Sequence, residues 1–309
     1  MTLCARRPSP LRPTPWLAAF IAGWGLALSP IAQAGQGKLL LTGGVSSIDG
    51  AAGGGLTPWA LTGSSATEGE IGATASLTRA RTQDYGFTSQ AVAATWSDRV
   101  EVSLAHQRFD TGPTGPALGL PGLVLQQDIL GLKWHVAGDA VLDSDTWQPQ
   151  WALGAEFKRT DAGGLAPTLA SLGARTHGTD LYLSVTKLLL AQGVLLNGTL
   201  RATQANQNGL LGFGGTAQRR PRLQPEVSAA WLLHRTLAVG AEYRAKPDNL
   251  NPSALGAGLR EDDWKDLFVA WAPSRRASLT LAWVDLGRIV PAVVSRRQTG
   301  AYVSLQLAL

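Results

Sequence analysis

Four histidines and a single cysteine are the scarce catalytic material in this 309-residue sequence. A histidine acts as general base only when it lies within hydrogen-bond reach of the group it deprotonates. His135 and His234 fall on polar strand faces, His106 near one end of its strand and His177 in a long connection. None has a His, Asp or Glu at metal-ligand spacing. The Gly-x-Ser-x-Gly turn that presents a serine nucleophile does not occur. Gly209 to Gly215, GLLGFGG, lacks the lysine of a phosphate-cradling loop. Cys4 lies in a leader expected to be removed, leaving no thiolate, disulfide or cysteine metal site. No catalytic, cofactor-binding or metal-binding residue is assigned, and no cofactor is expected.

Charge is the more informative signal. Glu101, Lys133, His135, Glu156, Asp180, Arg201, Glu226, Glu242 and Arg244 occupy polar positions within alternating segments. That is the pattern of a lumen lined with both signs. Arg159, Arg175, Arg219, Arg220, Arg222, Arg260, Arg288, Arg296 and Arg297 fall instead in or beside long connections rich in Gly and Pro. A guanidinium fork matches phosphate and carboxylate. Lipopolysaccharide phosphates or an anionic solute are therefore weighed there against a plain solvated rim.

The elements carrying these residues read with period two. Val100, Val102 and Leu104 alternate with Glu101, Ser103 and Ala105; Leu237, Val239, Ala241 and Tyr243 alternate with Gly240, Glu242 and Arg244. Similar segments lie around residues 71–78, 87–96, 130–137, 147–157, 181–186, 194–203, 226–234, 267–271, 277–283 and 301–309, making about twelve. At roughly 9 to 13 residues each they have the length a tilted strand needs to cross a bilayer. One face is apolar and the other polar or small, as in a closed barrel with lipid outside. A soluble β-sandwich would have shorter strands and its large residues inside. No uncharged apolar run of 18 residues follows position 34, which excludes transmembrane helices. The expectation is an all-β, antiparallel up-and-down transmembrane barrel of about 12 strands, with short periplasmic turns and long extracellular loops.

Connection lengths agree, since long and short alternate after the first hairpin. Trp96, Trp134, Trp147, Trp231 and Trp271 lie near short turns and are expected to form an inner aromatic girdle. Trp264 and Trp283, with Tyr243 and Phe157, would form the outer one. On this reading an arginine replacing Leu132 or Val239 faces lipid and is costly, whereas one replacing Thr199 faces the lumen and is milder. Gly300 followed by alternating apolar residues to Leu309 suits a closing strand read by the barrel-assembly machinery, with Leu where most such barrels carry Phe.

Residues 1–34 read as a secretory signal. Arg6, Arg7 and Arg12 precede the apolar run Trp16 to Leu28, and Ala32-Gln33-Ala34 offers a cleavage site. Removal takes away three of the five net positive charges, so nucleic acid is not expected as a partner. The Gly-rich stretch 35–65 is either a plug folded into the lumen or a loosely held periplasmic leader, and residues 66–309 form the barrel.

The stretch Leu41 to Ala60, LTGGVSSIDGAAGGGLTPWA, with Asp84-Tyr85-Gly86 and Asp98-Arg99-Val100-Glu101, resembles the proteobacterial domain-of-unknown-function 3034 family of exported proteins. The resemblance implies an outer-membrane setting and lends no activity, substrate or site. The functional expectation is a narrow porin-like channel for small hydrophilic solutes, anionic ones included, preferred over a structural, lipopolysaccharide-associated barrel and over a membrane-embedded hydrolase. Outer-membrane lipid and lipopolysaccharide are the expected surroundings, in the outer membrane of a bacterium with two membranes.

Overall fold

Alternating side chains make a sheet with two unlike faces, and a sheet with one lipid-type face and one polar face removes both its edges by closing. In the computed structural model this happens with twelve strands. The structure describes residues 40–41, 43–64, 66–141, 147–251 and 256–309; the expected signal segment 1–34, Cys4 included, lies outside them. A two-stranded piece, β1 (Val45–Ser46) and β2 (Ala52–Gly53), precedes the barrel. The barrel itself runs through β3 (Ile71–Thr82), β4 (Gly86–Trp96), β5 (Val100–Asp110), β6 (Val124–Ala137), β7 (Gln150–Asp161) and β8 (His177–Leu189). It continues through β9 (Val194–Thr203), β10 (Arg222–His234), β11 (Leu237–Arg244), β12 (Trp264–Ser274), β13 (Ala277–Asp285) and β14 (Thr299–Ala308).

Each strand pairs antiparallel with its chain neighbours, and β14 pairs with β3 to close the ring. The closing register sets Leu305 against Leu77, and Leu309 exchanges backbone hydrogen bonds with Ala73 at 2.8 and 3.1 Å. The strands range from 8 residues in β11 to 14 in β6.

The two faces separate cleanly. Leu104, Leu132, Leu153, Leu200, Leu267, Leu281 and Val303 are exposed on the outer wall, while their sequence neighbours Ser103, Lys133, Ala152, Arg201, Asp266, Ala282 and Tyr302 are buried inside. Such a continuous exposed apolar belt is unstable against water and suits lipid. Among the described residues no helix is long and apolar enough to cross a membrane.

Long connections gather at one end: 111–123 with the short helix α1 (Thr114–Ala117), 162–176 with α2 (Ala166–Ser171), 204–221, 245–263 and 286–298. Residues 83–85 make the one tight turn there. The opposite end has tight turns at 97–99, 190–193, 235–236 and 275–276, plus the longer 138–149. At 97–99 both Ser97 and Asp98 take positive φ, 51° and 53°, the left-handed pair that matches strand twist in a tight hairpin.

Three local expectations are corrected. Trp264 is buried, 6 % exposed, because β12 presents Trp264, Asp266 and Phe268 inward; it is no girdle residue. Trp147 precedes β7, which begins at Gln150, so Trp147 stands on the connection and Trp151 takes the outward strand position. His234 is exposed at the β10–β11 turn, where a register irregularity after Leu232 breaks the alternation. Trp96, Trp134, Trp231, Trp271 and Trp283 face outward and are exposed.

Candidate functional site

All nine charged or ionisable residues read as lumenal are inward and buried: Glu101, Lys133, His135, Glu156, Asp180, Arg201, Glu226, Glu242 and Arg244. They do not line water. Residues 45–63 run through the lumen, and Val45, Ile48, Asp49, Leu56, Trp59 and Leu61 are each buried there. Buried charges are tolerated only when paired and hydrogen-bonded, and the segment supplies many of the partners.

Glu101 of β5 accepts from the backbone N–H of Ala52 at 3.0 Å and of Gly63 at 2.6 Å. Lys133 of β6 lies 3.2 Å from Glu101 and donates to the carbonyls of Ala52 and Leu61, both at 2.8 Å. Glu242 of β11 accepts from the N–H of Leu56 at 2.7 Å and the Thr57 hydroxyl at 2.7 Å. The Pro58 carbonyl receives Thr199 Oγ1 at 2.9 Å and Asn197 Nδ2 at 3.3 Å from β9. Trp59 Nε1 donates to Ser228 Oγ of β10 at 2.6 Å, and its ring packs with Leu195, Ala230, Phe268 and Ala270.

At the long-loop side of these contacts the ionic groups form one network. Arg201 reaches Glu226 at 2.6 Å, Glu156 at 2.7 Å and Asp180 at 3.6 Å. Lys158 sits 3.0 Å from both Glu156 and Asp180, and 3.8 Å from Asp49. Arg244 bridges Asp49 at 2.8 Å and Glu226 at 3.2 Å. Four carboxylates thus share three cations, and one of the carboxylates, Asp49, is contributed by the segment inside.

Glycine is what lets the segment lie so close. A Cβ at Gly54 would run into the Glu242 carboxylate, and Gly55, at φ 146°, has no room for one against the Tyr302 hydroxyl.

Lys158 and Asp266 are inward residues that the sequence reading omitted, although the alternation carries them: Lys158 is two residues after Glu156, and Asp266 pairs in register with Glu242. Asp49 had no such signal, because it lies on no barrel strand.

The rim arginines divide. Arg296 pairs with Asp84, its Nε 2.7 Å from Oδ2, and Arg297 with Asp285 at 2.7 Å. Arg288 holds Asp262 at 2.7 Å, and this bond keeps the Asp262 carboxyl below the ordinary carboxylate range. Arg175 donates to Gln204 at 2.5 Å. Arg159, Arg219, Arg220, Arg222 and Arg260 are exposed. Lys246 and Glu261 form a buried pair at 3.5 Å in the 245–263 loop; burial pushes the Glu261 carboxyl up to about 7, against the pull of Lys246.

The histidines are spread out. His135 has its two ring nitrogens against the carbonyls of Asp98 at 2.9 Å and Gly138 at 2.6 Å, an anchoring arrangement at the tight-turn end. His106 is on the outward face, 2.7 Å from Asp128 and registered beside Gln90. His177 and His234 are exposed. Among the described residues no three His, Cys, Asp or Glu groups could hold a metal.

A family model described as "Protein of unknown function (DUF3034)" matches residues 42–306. No curated protein matches the sequence. Among solved structures, the chain is similar to a KdgM porin in complex with disordered oligogalacturonate, with 7 % identity, TM-score 0.49, and coverage of 76 % of this chain and 98 % of that one. It is similar to the NanC porin at 8 % identity and TM-score 0.49, covering 77 % and 100 %. It is also similar to outer membrane phospholipase A from Escherichia coli at 8 % identity and TM-score 0.40, covering 76 % and 89 %.

Proposed function

Because the chain belongs to the DUF3034 family of proteins of unknown function, the reading must come from its geometry, and we propose that it is an outer-membrane barrel acting as a gated conduit for small molecules. Exported through the leader 1–34, it sits with its tight turns toward the periplasm and its long loops outside. At rest residues 45–63 close it. Passage requires that this segment shift and give up its bonds to the wall.

The observation that carries the reading is the bonding of the segment by strands all round the barrel: Gln107, Lys133, Gln150, Thr199, Ser228, Arg244 and Gln306 each hold it through a polar atom. A barrel built only as a scaffold could fill its lumen with bulky side chains of its own strands. Here bulky inward residues such as Phe268 and Tyr302 fill only part of the lumen, many other inward positions are small or polar, and the rest is filled by a separate segment of the chain. With the segment displaced, charges of both signs would face the lumen, which is where the expectation of a hydrophilic path survives.

The same dense bonding also favours a purely structural, permanently closed barrel. Single-channel recording in planar bilayers separates the two. The mature chain should be closed with rare openings, and a chain lacking 35–63, checked as folded by its unheated gel mobility, should conduct steadily. Silence from both forms refutes the conduit and leaves the structural barrel.

A further inference from the structure

Beyond the plugged segment, toward the long loops, the barrel holds a cavity of about 290 Å³. Its floor is the apolar side of the inner segment, Ile48 and Leu56, and its walls include Phe109, Leu125, Leu211 and Ile289. The 111–123, 162–176, 204–221, 245–263 and 286–298 connections all contribute to it, so five loops meet over a space none of them fills. Among the described residues, no Asp, Glu, Lys or Arg lines it. Burying a charge without a partner is costly, so an ion has no place there although the barrel below is full of charge.

Among the wall residues, the indole Nε1 of Trp264 is buried with no hydrogen-bond partner among the described residues. Buried donors of this kind are ordinarily satisfied. Trp264 comes from β12 and faces inward, and its partner is an acceptor on something that enters; the Tyr302 hydroxyl of β14 lies instead against Gly55, beside the Glu242 carboxylate. Leu118 and Ala292, exposed at the edge of the same cavity, show that the chamber reaches the surface of the loops.

We propose that this cavity binds an uncharged, predominantly apolar small molecule bearing an acceptor oxygen, to which Trp264 Nε1 donates. An apolar cavity of about 150 Å³ stays dry and takes benzene, so this one suits a guest roughly twice that size, such as two fused rings or a short acyl chain. As an effector of the segment that closes the lumen, this ligand rests on the gated-conduit reading. The ligand touches Ile48 and Leu56, so its occupancy bears directly on the segment that closes the lumen.

Naphthalene and 1-acetonaphthone, alike in rings and differing in one carbonyl, are the probes. Each is titrated into the mature protein held in amphipol, where no detergent micelle competes, and binding is followed by calorimetry. Both should bind saturably at one site. Leu211→Arg and Leu169→Arg, in separate loops, should each abolish both. Trp264→Phe should weaken 1-acetonaphthone about fivefold or more and leave naphthalene within about twofold, the difference expected from one lost hydrogen bond. Absence of saturable naphthalene binding to the folded wild type overturns the site. Equal weakening of both probes overturns the role of the indole as donor. A protein that binds the probes yet never conducts refutes the conduit and keeps the site, and one that conducts without binding does the reverse.

Discussion

Arg244 Nη1 donates to Asp49 Oδ2 at 2.8 Å, joining the wall of the barrel to the segment inside it across 195 residues of sequence. The same guanidinium donates to the Leu56 carbonyl at 2.9 Å and, from Nη2, to Asn208 at 2.9 Å. One strand residue therefore fixes the inner segment at two points and a long loop at a third. Any movement of the segment must break this contact or carry it along.

Asp49→Asn leaves Arg244 and Lys158 buried with one carboxylate fewer. Removing one partner of a buried pair costs about 3 to 5 kcal/mol. The expected outcome is a lower urea midpoint for the vesicle-embedded protein and more frequent channel openings, read by planar-bilayer recording. Arg219→Gln, exposed on a loop, should leave both unchanged.

Substitution on the two faces should be equally severe, for different reasons. Leu132→Arg puts a charge on the apolar outer wall and should cost about 2 to 4 kcal/mol near mid-membrane. Thr199→Arg faces inward, where a water-filled lumen would tolerate it. Because Thr199 Oγ1 is buried and donates to the Pro58 carbonyl, the added side chain instead collides with the segment, and the open-state fraction should rise. Equilibrium unfolding and conductance of the two variants check this.

Glu261 gives the 245–263 loop a pH dependence. Its folded pKa, about 7, lies above the ordinary 4.5, so the folded state binds the proton more tightly than the unfolded one. Its contribution is complete below about 4.5 and is lost as pH rises toward 7. Lys246 opposite and Asp248, whose Oδ1 accepts the Glu261 N–H at 3.2 Å, are the charges that face it. Hydrogen exchange in 245–263 should be faster at pH 7.5 than at pH 5, after correction for intrinsic rates, and Glu261→Gln should flatten the difference.

Arg219 and Arg220 of the 204–221 connection and Arg222 at the start of β10 are exposed together at the long-loop end. Replacing Arg219, Arg220 and Arg222 together by Gln should lower co-purifying lipopolysaccharide, measured by its phosphate content. Arg296→Gln and Arg297→Gln should instead loosen the loops held to Asp84 and Asp285, seen as earlier proteolysis, with lipopolysaccharide retained.

The sequence alone determined the barrel, because a strand that separates lipid from an interior must write that difference into every second residue. Glu101 beside Val102 and Arg244 beside Tyr243 each carry it, and their facing could be read before any neighbour was known. Periodicity also places Lys158 and Asp266 inward, though they were passed over. It misplaced Trp264, since near a strand end an aromatic suits either face; in the structure the ring is buried, with Lys246 4.7 Å above it.

What fills the barrel was decided by tertiary structure. A glycine-rich stretch has no period to read; Gly54 and Gly55 acquire their meaning only from Glu242 and Tyr302, which lie far along the chain. Asp49 looks like any turn residue until Arg244 and Lys158 close on it. The lumen charges, read as a pore lining, turned out to be largely a socket, because pairing in a closed interior depends on which groups meet at 3 Å, and spacing along one strand carries no record of that. The outer cavity is hidden for the same reason: five connections with no shared pattern wall it, and only their meeting leaves the Trp264 indole N–H buried without a partner among the described residues.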